Sequence, residues 1–194
     1  MKIIYFVRHG QTNNNILANE GTFNNNEPLN NTGISQSINA AECLSKITNN
    51  IPSIILTSPL LRTQQTALTI SKRLMVPVMI SGDLMEFNPG KSSENKIVDV
   101  LNLYKNVPQN ELPNFRLKDG ESWFDISKRT TRVVEEYIKS HHKSIIIVSH
   151  ASIMQICINS LLEIEPSKWL ELNDISNGTQ IRVGYKRGKY FILN

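Results

Sequence analysis

Two short apolar runs in this chain each end on a histidine. Ile3-Ile4-Tyr5-Phe6-Val7 leads directly into Arg8-His9-Gly10-Gln11-Thr12, and Ser144-Ile145-Ile146-Ile147-Val148-Ser149 delivers His150. A continuous β-branched run of this length reads as a strand buried on both faces, as in parallel sheets covered by helices. In open α/β sheets, ligands bind in the crevice beyond the carboxyl ends of the strands. The two histidines therefore fall where such a fold does its chemistry, and one has an arginine directly before it. An imidazole is a competent nucleophile, and a guanidinium offers a fork of donors suited to phosphate oxygens. The pairing implies phosphoryl transfer through a phosphohistidine.

Further strand-like runs occur at 54–57 and 76–80, with a weaker pair at 180–184 and 189–193. Helical stripes lie between them: Ile34, Ile38, Ala41, Leu44 and Ile47; then Ala67, Ile70 and Leu74; then Ile126, Val133, Val134, Tyr137 and Ile138; then Ile153, Ile156, Cys157 and Leu161. Strands alternating with helices predict an α/β three-layer sandwich, with a mostly parallel, doubly wound sheet and an antiparallel edge element. No linker interrupts the pattern, so residues 1–194 are expected to form one domain. Residues 87–119 break the rhythm, with Asn88-Pro89-Gly90, Pro108 and Pro113 around one short helical pattern near 95–105. In this fold that stretch is expected to be an insertion over the active site, where loops set specificity.

Several further segments carry a resemblance, in order along the chain. Asn15 follows the first histidine run, then Pro28-Leu29-Asn30-Asn31-Thr32-Gly33-Ile34-Ser35-Gln36, then Ser58-Pro59-Leu60-Leu61-Arg62-Thr63-Gln64-Gln65-Thr66-Ala67. Leu84-Met85-Glu86, Gly120-Glu121-Ser122 and Val148-Ser149-His150 complete the set. Together they resemble the motifs of the histidine phosphatase superfamily, the phosphoglycerate mutase-like enzymes. Arg-His-Gly alone is a weak match; six matches in register are specific.

The residue chemistry and the resemblance assign roles as follows. His9 is the expected nucleophile, which must be neutral and held in one tautomer. Nearby guanidiniums favour the neutral form, since like charge lowers the imidazole pKa. Arg8 and Arg62 are expected to clamp the transferring group, whose transition state spreads charge over three equatorial oxygens. Ser58 is a good N-cap and Pro59 suits the first helical position, so Arg62 is expected in the first turn of a helix. That helix N-terminus adds partial positive charge. The resemblance implies that His150 donates to the phosphoryl oxygens and that Glu86 is the general acid and base. Such a carboxyl needs a raised pKa, which desolvation under 87–119 supplies. It further implies that Asn15, Gln11, Gly21 and Thr22 touch phosphate or substrate. Ala151, standing where the family usually has glycine, keeps its backbone N–H for the same task.

Composition bounds the remaining possibilities. The net charge of +4 comes from the tail: Arg182, Lys186, Arg187 and Lys189 follow the last acid, Asp174, and without them 17 bases face 17 acids. A charged hairpin turning at Lys186-Arg187-Gly188 blunts an exposed sheet edge, which argues against a nucleic-acid partner. No apolar run approaches the roughly 20 residues of a membrane span, and the start lacks a signal-peptide core, so a cytoplasmic location is expected. Cys43 and Cys157 lack metal-ligand spacing and are expected to be buried thiols. Trp123 and Trp169 are expected as core or cap aromatics rather than substrate platforms. No cofactor or metal is implied. The expected function is hydrolysis of small phosphorylated metabolites, that is, phosphomonoesters, without metal. The alternatives are a cofactor-dependent phosphoglycerate mutase, which resembles this chain at the motifs but carries longer insertions, and a non-catalytic binding protein on the same scaffold. The latter has no need to keep Arg8, His9, Arg62, Glu86 and His150 together.

Overall fold

The computed structural model describes residues 1–17, 21–23, 26–48, 53–170 and 175–193. Among them, six strands form one sheet in the order β3-β2-β4-β1-β5-β6. The parallel block comprises β1 (Lys2–Arg8), β2 (Ser53–Thr57), β3 (Val78–Ile80) and β4 (Ser144–Ser149). At one edge β5 (Gln180–Lys186) and β6 (Lys189–Leu193) run antiparallel. They are joined by Arg187 and Gly188, both with positive φ (53° and 82°), the backbone of a tight hairpin whose twist suits the strands.

Period-two alternation sorts the central strands between two faces. Ile4, Phe6, Ile54, Leu56, Ile145 and Ile147 pack beneath α5 (Trp123–Lys139) and α6 (Ala151–Leu161), through Val133, Val134, Met154, Cys157 and Ile158. Tyr5, Val7, Ile55, Ile146 and Val148 pack beneath α2 (Asn31–Ile47) and α3 (Leu61–Leu74). This is the three-layer, doubly wound sandwich that the alternating runs predict. Ser122 caps α5 in a capping box with Asp125. Trp123 and Trp169 are buried in a third cluster with Ile126, Ile153 and Ile156.

Two expectations about α2 are corrected. Its inward face is Gly33, Ser37, Ala40, Ala41 and Leu44, while Ile34 and Ile38 are 48% and 46% exposed. The reason is a backbone contact at the helix start. A Cβ on Gly33 would lie 2.1 Å from the Gln11 carbonyl oxygen, and one on Gly10 would lie 2.2 Å from the Gly33 carbonyl oxygen. That approach fixes the rotation of the helix and overrides its apolar periodicity. Cys43 consequently sits on the outer face and is exposed; Cys157 is buried, which pushes its thiol up to about 12.

Residues 87–119 contain a 3-10 turn (Gly90–Ser92) and α4 (Ile97–Lys105), which buries only Val100. No helix among the described residues is long and apolar enough to cross a membrane.

Candidate active site

Strand register brings the site together. Arg8 pairs with Ser149, and Thr57 with Val148, so β1, β2 and β4 end level with one another. The next residues stay locked across the edge: the His9 N–H donates to the Ser149 carbonyl (3.1 Å), and the Ser58 N–H donates to the Val148 carbonyl (3.2 Å). His9, Ser58 and His150 are thus neighbours because three strands stop at the same height.

His9 is buried and its Nδ1 lies 2.7 Å from the Gly10 carbonyl oxygen. A carbonyl only accepts, so Nδ1 carries the proton and Nε2 keeps its lone pair. The Arg62 Nε–H donates to that lone pair at 3.2 Å. Burial, then the charge of Arg62, bring the His9 pKa down to about 3, with a smaller contribution from Arg8; the Gly10 carbonyl opposes them. The imidazole is neutral and fixed in one tautomer.

Arg62 is the second residue of α3, in its first turn, as expected. The capping differs from the expectation. Leu60 is the N-cap, with no side-chain cap bond, and the Ser58 hydroxyl lies 3.0 Å from Nε2 of His150 instead. Ser58 stands two positions ahead of the cap, in reach of the β4 end, and the neighbouring strand's histidine claims its hydroxyl.

His150 is fully buried at the N-cap of α6. Its Nδ1 lies 3.3 Å from Nη2 of Arg62 and 3.3 Å from Oε2 of Glu86. Arginine can only donate, so Nδ1 accepts and Nε2–H donates to Ser58. Burial, then the Arg62 charge, hold the ring well below its ordinary pKa, and it is neutral. Glu86 follows the 3-10 turn Gly82–Leu84; its Oε1 accepts from the Phe87 N–H (2.9 Å), and its Oε2 is 4.0 Å from Arg62 Nη2. Burial raises its pKa, outweighing the opposing pull of Arg62. A neutral His150 Nδ1 and a carboxylate would both be acceptors at 3.3 Å, so the protonated carboxyl is the form that matches the pair. The two histidine rings meet edge to face, 5.2 Å apart at 66°.

Asn15 lies in the short helix α1 (Asn13–Leu17) and is held by reciprocal bonds: Thr12 N–H to Asn15 Oδ1 (3.1 Å) and Asn15 N–H to Thr12 Oγ1 (3.3 Å). Asn177 Nδ2 donates to the same Oδ1 (3.1 Å) and to the His9 carbonyl (3.0 Å). With its carbonyl fixed by two donors, the Asn15 amide keeps its N–H groups for the pocket. Arg8 is anchored by Nη1 donating to the Ile175 carbonyl at 2.5 Å.

A pocket of about 240 Å³ is lined by Arg8, His9, Asn15, Arg62, Glu86 and Ala151, while His150 is not among its lining residues and meets it through Arg62 and Glu86. Thr22 lines it too. Ala151 opens α6, where the first N–H groups have no partner within the helix. Gln11 and Gly21 are not among the lining residues. Gln11 Oε1 accepts from Asn30 Nδ2 (3.1 Å) and its N–H donates to Gln36 Oε1 (2.8 Å), so it ties the loop to α2. Gly21 lies where a Cβ would come within 2.4 Å of Asn14 Oδ1, and its carbonyl accepts from Ile97 N–H (2.8 Å), tying the loop to α4. No three His, Cys, Asp or Glu side chains among the described residues are grouped to hold a metal ion.

The profile of the histidine phosphatase superfamily (branch 1) matches residues 4–194. The chain belongs to this superfamily. A candidate phosphoserine phosphatase of Hydrogenobacter thermophilus is 28% identical over 202 residues, covering 100% of this chain and 96% of that protein. Among solved structures, a mycobacterial glucosyl-3-phosphoglycerate phosphatase in complex with VO3 superposes with a TM-score of 0.85 at 22% identity, over 99% of this chain and 97% of that one. The α-ribazole phosphatase of Shigella flexneri gives 0.79 at 23% identity, over 98% and 94%. At these identities the structures share the fold. Membership of a superfamily whose relatives here are named as phosphatases supports phosphoric monoester hydrolysis.

Sequence reasoning missed several site residues, among them Asn177, Glu27 and Phe23. Asn177 precedes the strand pair expected at 180–184 and 189–193, and its sequence signal is the Asn177-Gly178 turn. Gly178 has φ 77°, and its N–H returns to the Arg8 carbonyl (3.1 Å). Glu27, whose Oε1 accepts from Asn14 N–H at 2.5 Å, and Phe23 also line the pocket. Neither carries a local signal.

Proposed function

We propose that this protein hydrolyses small phosphomonoesters in two steps through phospho-His9. The observation that carries the reading is the His9 ring itself: neutral, with Nδ1–H committed to the Gly10 carbonyl and the Nε2 lone pair facing Arg62. Substrate phosphate draws the Arg62 guanidinium onto its oxygens and frees Nε2. Nε2 then attacks phosphorus as the P–O ester bond breaks, and the protonated Glu86 gives its proton to the leaving oxygen. Arg8, Arg62, the Asn15 amide and the α6 N–H groups near Ala151 hold the equatorial oxygens, where charge accumulates. In the second step the Glu86 carboxylate takes a proton from water, whose oxygen attacks phosphorus and displaces Nε2. His150 keeps Glu86 placed, its own Nε2–H held by the Ser58 hydroxyl.

The test is covalent capture. Enzyme quenched in alkali or detergent during turnover should carry one base-stable phosphate that acid then releases, and His9→Ala should lose both label and turnover. Near-normal turnover by His9→Ala would overturn the mechanism. A panel of phosphorylated metabolites assayed for phosphate release identifies the substrate.

A further inference from the structure

The pocket does not end at Glu86. Phe23 lines it and also two further spaces, one of which shares Glu86 with the pocket and both of which share Phe87 with each other. Phe23, Phe87, Tyr104 and Phe115 meet edge to face in sequence, with centroids 5.6, 6.0 and 5.0 Å apart. The first space is a cleft of about 460 Å³ that includes Glu86, Asn88, Glu121 and Arg129. The second is a trough of about 360 Å³ lined mainly by apolar side chains, among them Val100, Leu101, Tyr104, Leu112, Trp123 and Ile156. It joins the histidine pocket through Phe23, Leu101 and Ser152.

The polar groups of the cleft are largely engaged with one another. Arg129 holds Glu121 through two bonds (2.8 and 2.9 Å) and donates to the Asp83 carbonyl (2.6 Å). Glu121 Oε1 also accepts from Asn88 N–H, and Asn88 Oδ1 accepts from Gly90 N–H, both at 2.9 Å. A polar leaving group entering there would have to displace these bonds. The trough is the reverse. It presents apolar surface, including Leu101 at 45% exposure. A concave, mostly apolar space with a few polar groups is the usual form of a small-molecule site.

We propose that the trough is the leaving-group subsite, and that the preferred substrates are phosphomonoesters of apolar alcohols, alkyl or aryl, rather than of sugars or amino acids. The proposal rests on the phosphatase reading of His9. The substrate lies with its phosphate among Arg8, His9 and Arg62 and its carbon chain along Leu101 toward Leu112 and Trp123. Phe23, at the junction of the three spaces, steers the chain into the trough.

The test is a series of straight-chain alkyl phosphates from ethyl to hexyl, whose leaving alkoxides differ little in basicity. Burial of each added methylene should raise kcat/KM about twofold to fourfold, since a fully buried one is worth roughly fourfold. Hexyl phosphate should exceed phosphoserine at least tenfold. Leu112→Asp puts a charge in the trough, away from the histidines, and should cut the hexyl-to-ethyl ratio at least tenfold. The matching alkyl phosphonates, titrated by tryptophan fluorescence with Trp123 as the reporter, read binding apart from turnover. Hydrolysis with flat kcat/KM and flat phosphonate affinity would refute the subsite and leave the phosphatase reading standing. Affinity that rises with chain length while no phosphomonoester turns over would keep the subsite and refute that reading. Preference for phosphoserine or a sugar phosphate over hexyl phosphate would put the leaving group in the polar cleft and overturn the proposal, as would an unchanged ratio in Leu112→Asp.

Discussion

Replacing Glu86 by glutamine tests whether the proton between Glu86 and His150 is the one delivered to the leaving group. The substitution is nearly isosteric. The amide oxygen can still accept from Phe87 N–H at 2.9 Å, and the amide N–H can still donate to His150 Nδ1 at 3.3 Å. Because both neighbours keep a partner, the expected stability change is under about 1 kcal/mol, within the worth of one neutral hydrogen bond. What is lost is the transferable proton. For an alkyl phosphate, whose alkoxide is a poor leaving group, phosphoenzyme formation should fall by roughly 10²–10⁴-fold, the usual range of general acid–base catalysis. That range corresponds to about 3–5 kcal/mol of barrier. For p-nitrophenyl phosphate the leaving phenolate is stable without protonation, so the same step should fall less than about tenfold. Rapid-quench measurement of the pre-steady-state burst isolates this step. Steady-state rates do not, because in the proposed mechanism the Glu86 carboxylate also activates water in the second step. Equal small losses for both substrates, with stability unchanged, would show that Glu86 is a bystander and refute the reasoning.

Asn177→Ala removes the donor to both Asn15 Oδ1 and the His9 carbonyl; inhibition by inorganic phosphate should weaken about tenfold, from loss of roughly one to two neutral hydrogen bonds, and an unchanged inhibition constant would exclude this positioning role. Gly33→Ala drives a Cβ to 2.1 Å from the Gln11 carbonyl, so urea unfolding should show a loss of about 1–3 kcal/mol, the usual cost of overpacking, along with reduced activity as the first loop shifts. Acid stability follows from His9: with a native pKa of about 3 against an ordinary 6.5, the unfolded chain takes up the proton first. Its contribution is therefore complete above pH 6.5 and lost as pH falls toward 3, at about 2–3 kcal/mol between pH 6.5 and 4.5. Glu86, whose pKa is raised, acts in the opposite sense; subtracting the denaturation profile of His9→Ala isolates the histidine, and parallel profiles would contradict the shift.

The strand runs, their order with the intervening helices, and the position of both histidines at strand ends were legible because each is a local pattern. A β-branched run announces a buried strand, and a residue just past it sits at the sheet's carboxyl edge wherever that strand lies. Arg62 in a first helical turn was legible for the same reason. The tertiary structure alone decided which partners those residues meet. Arg62 reaches His9 across 53 positions and His150 across 88. Ser58 meets His150 across 92, which turns an expected helix cap into the imidazole's partner. Asn177 holds His9 across 168 positions because β5 lies antiparallel beside β1. The inward face of α2 was settled by the backbone contact between Gly10 and Gly33 rather than by its apolar stripe. Periodicity is set by neighbours three or four residues apart, so the chain carries it openly. A hydrogen-bond partner is set by strand order and by where backbones come close, and those exist only once the sheet has assembled.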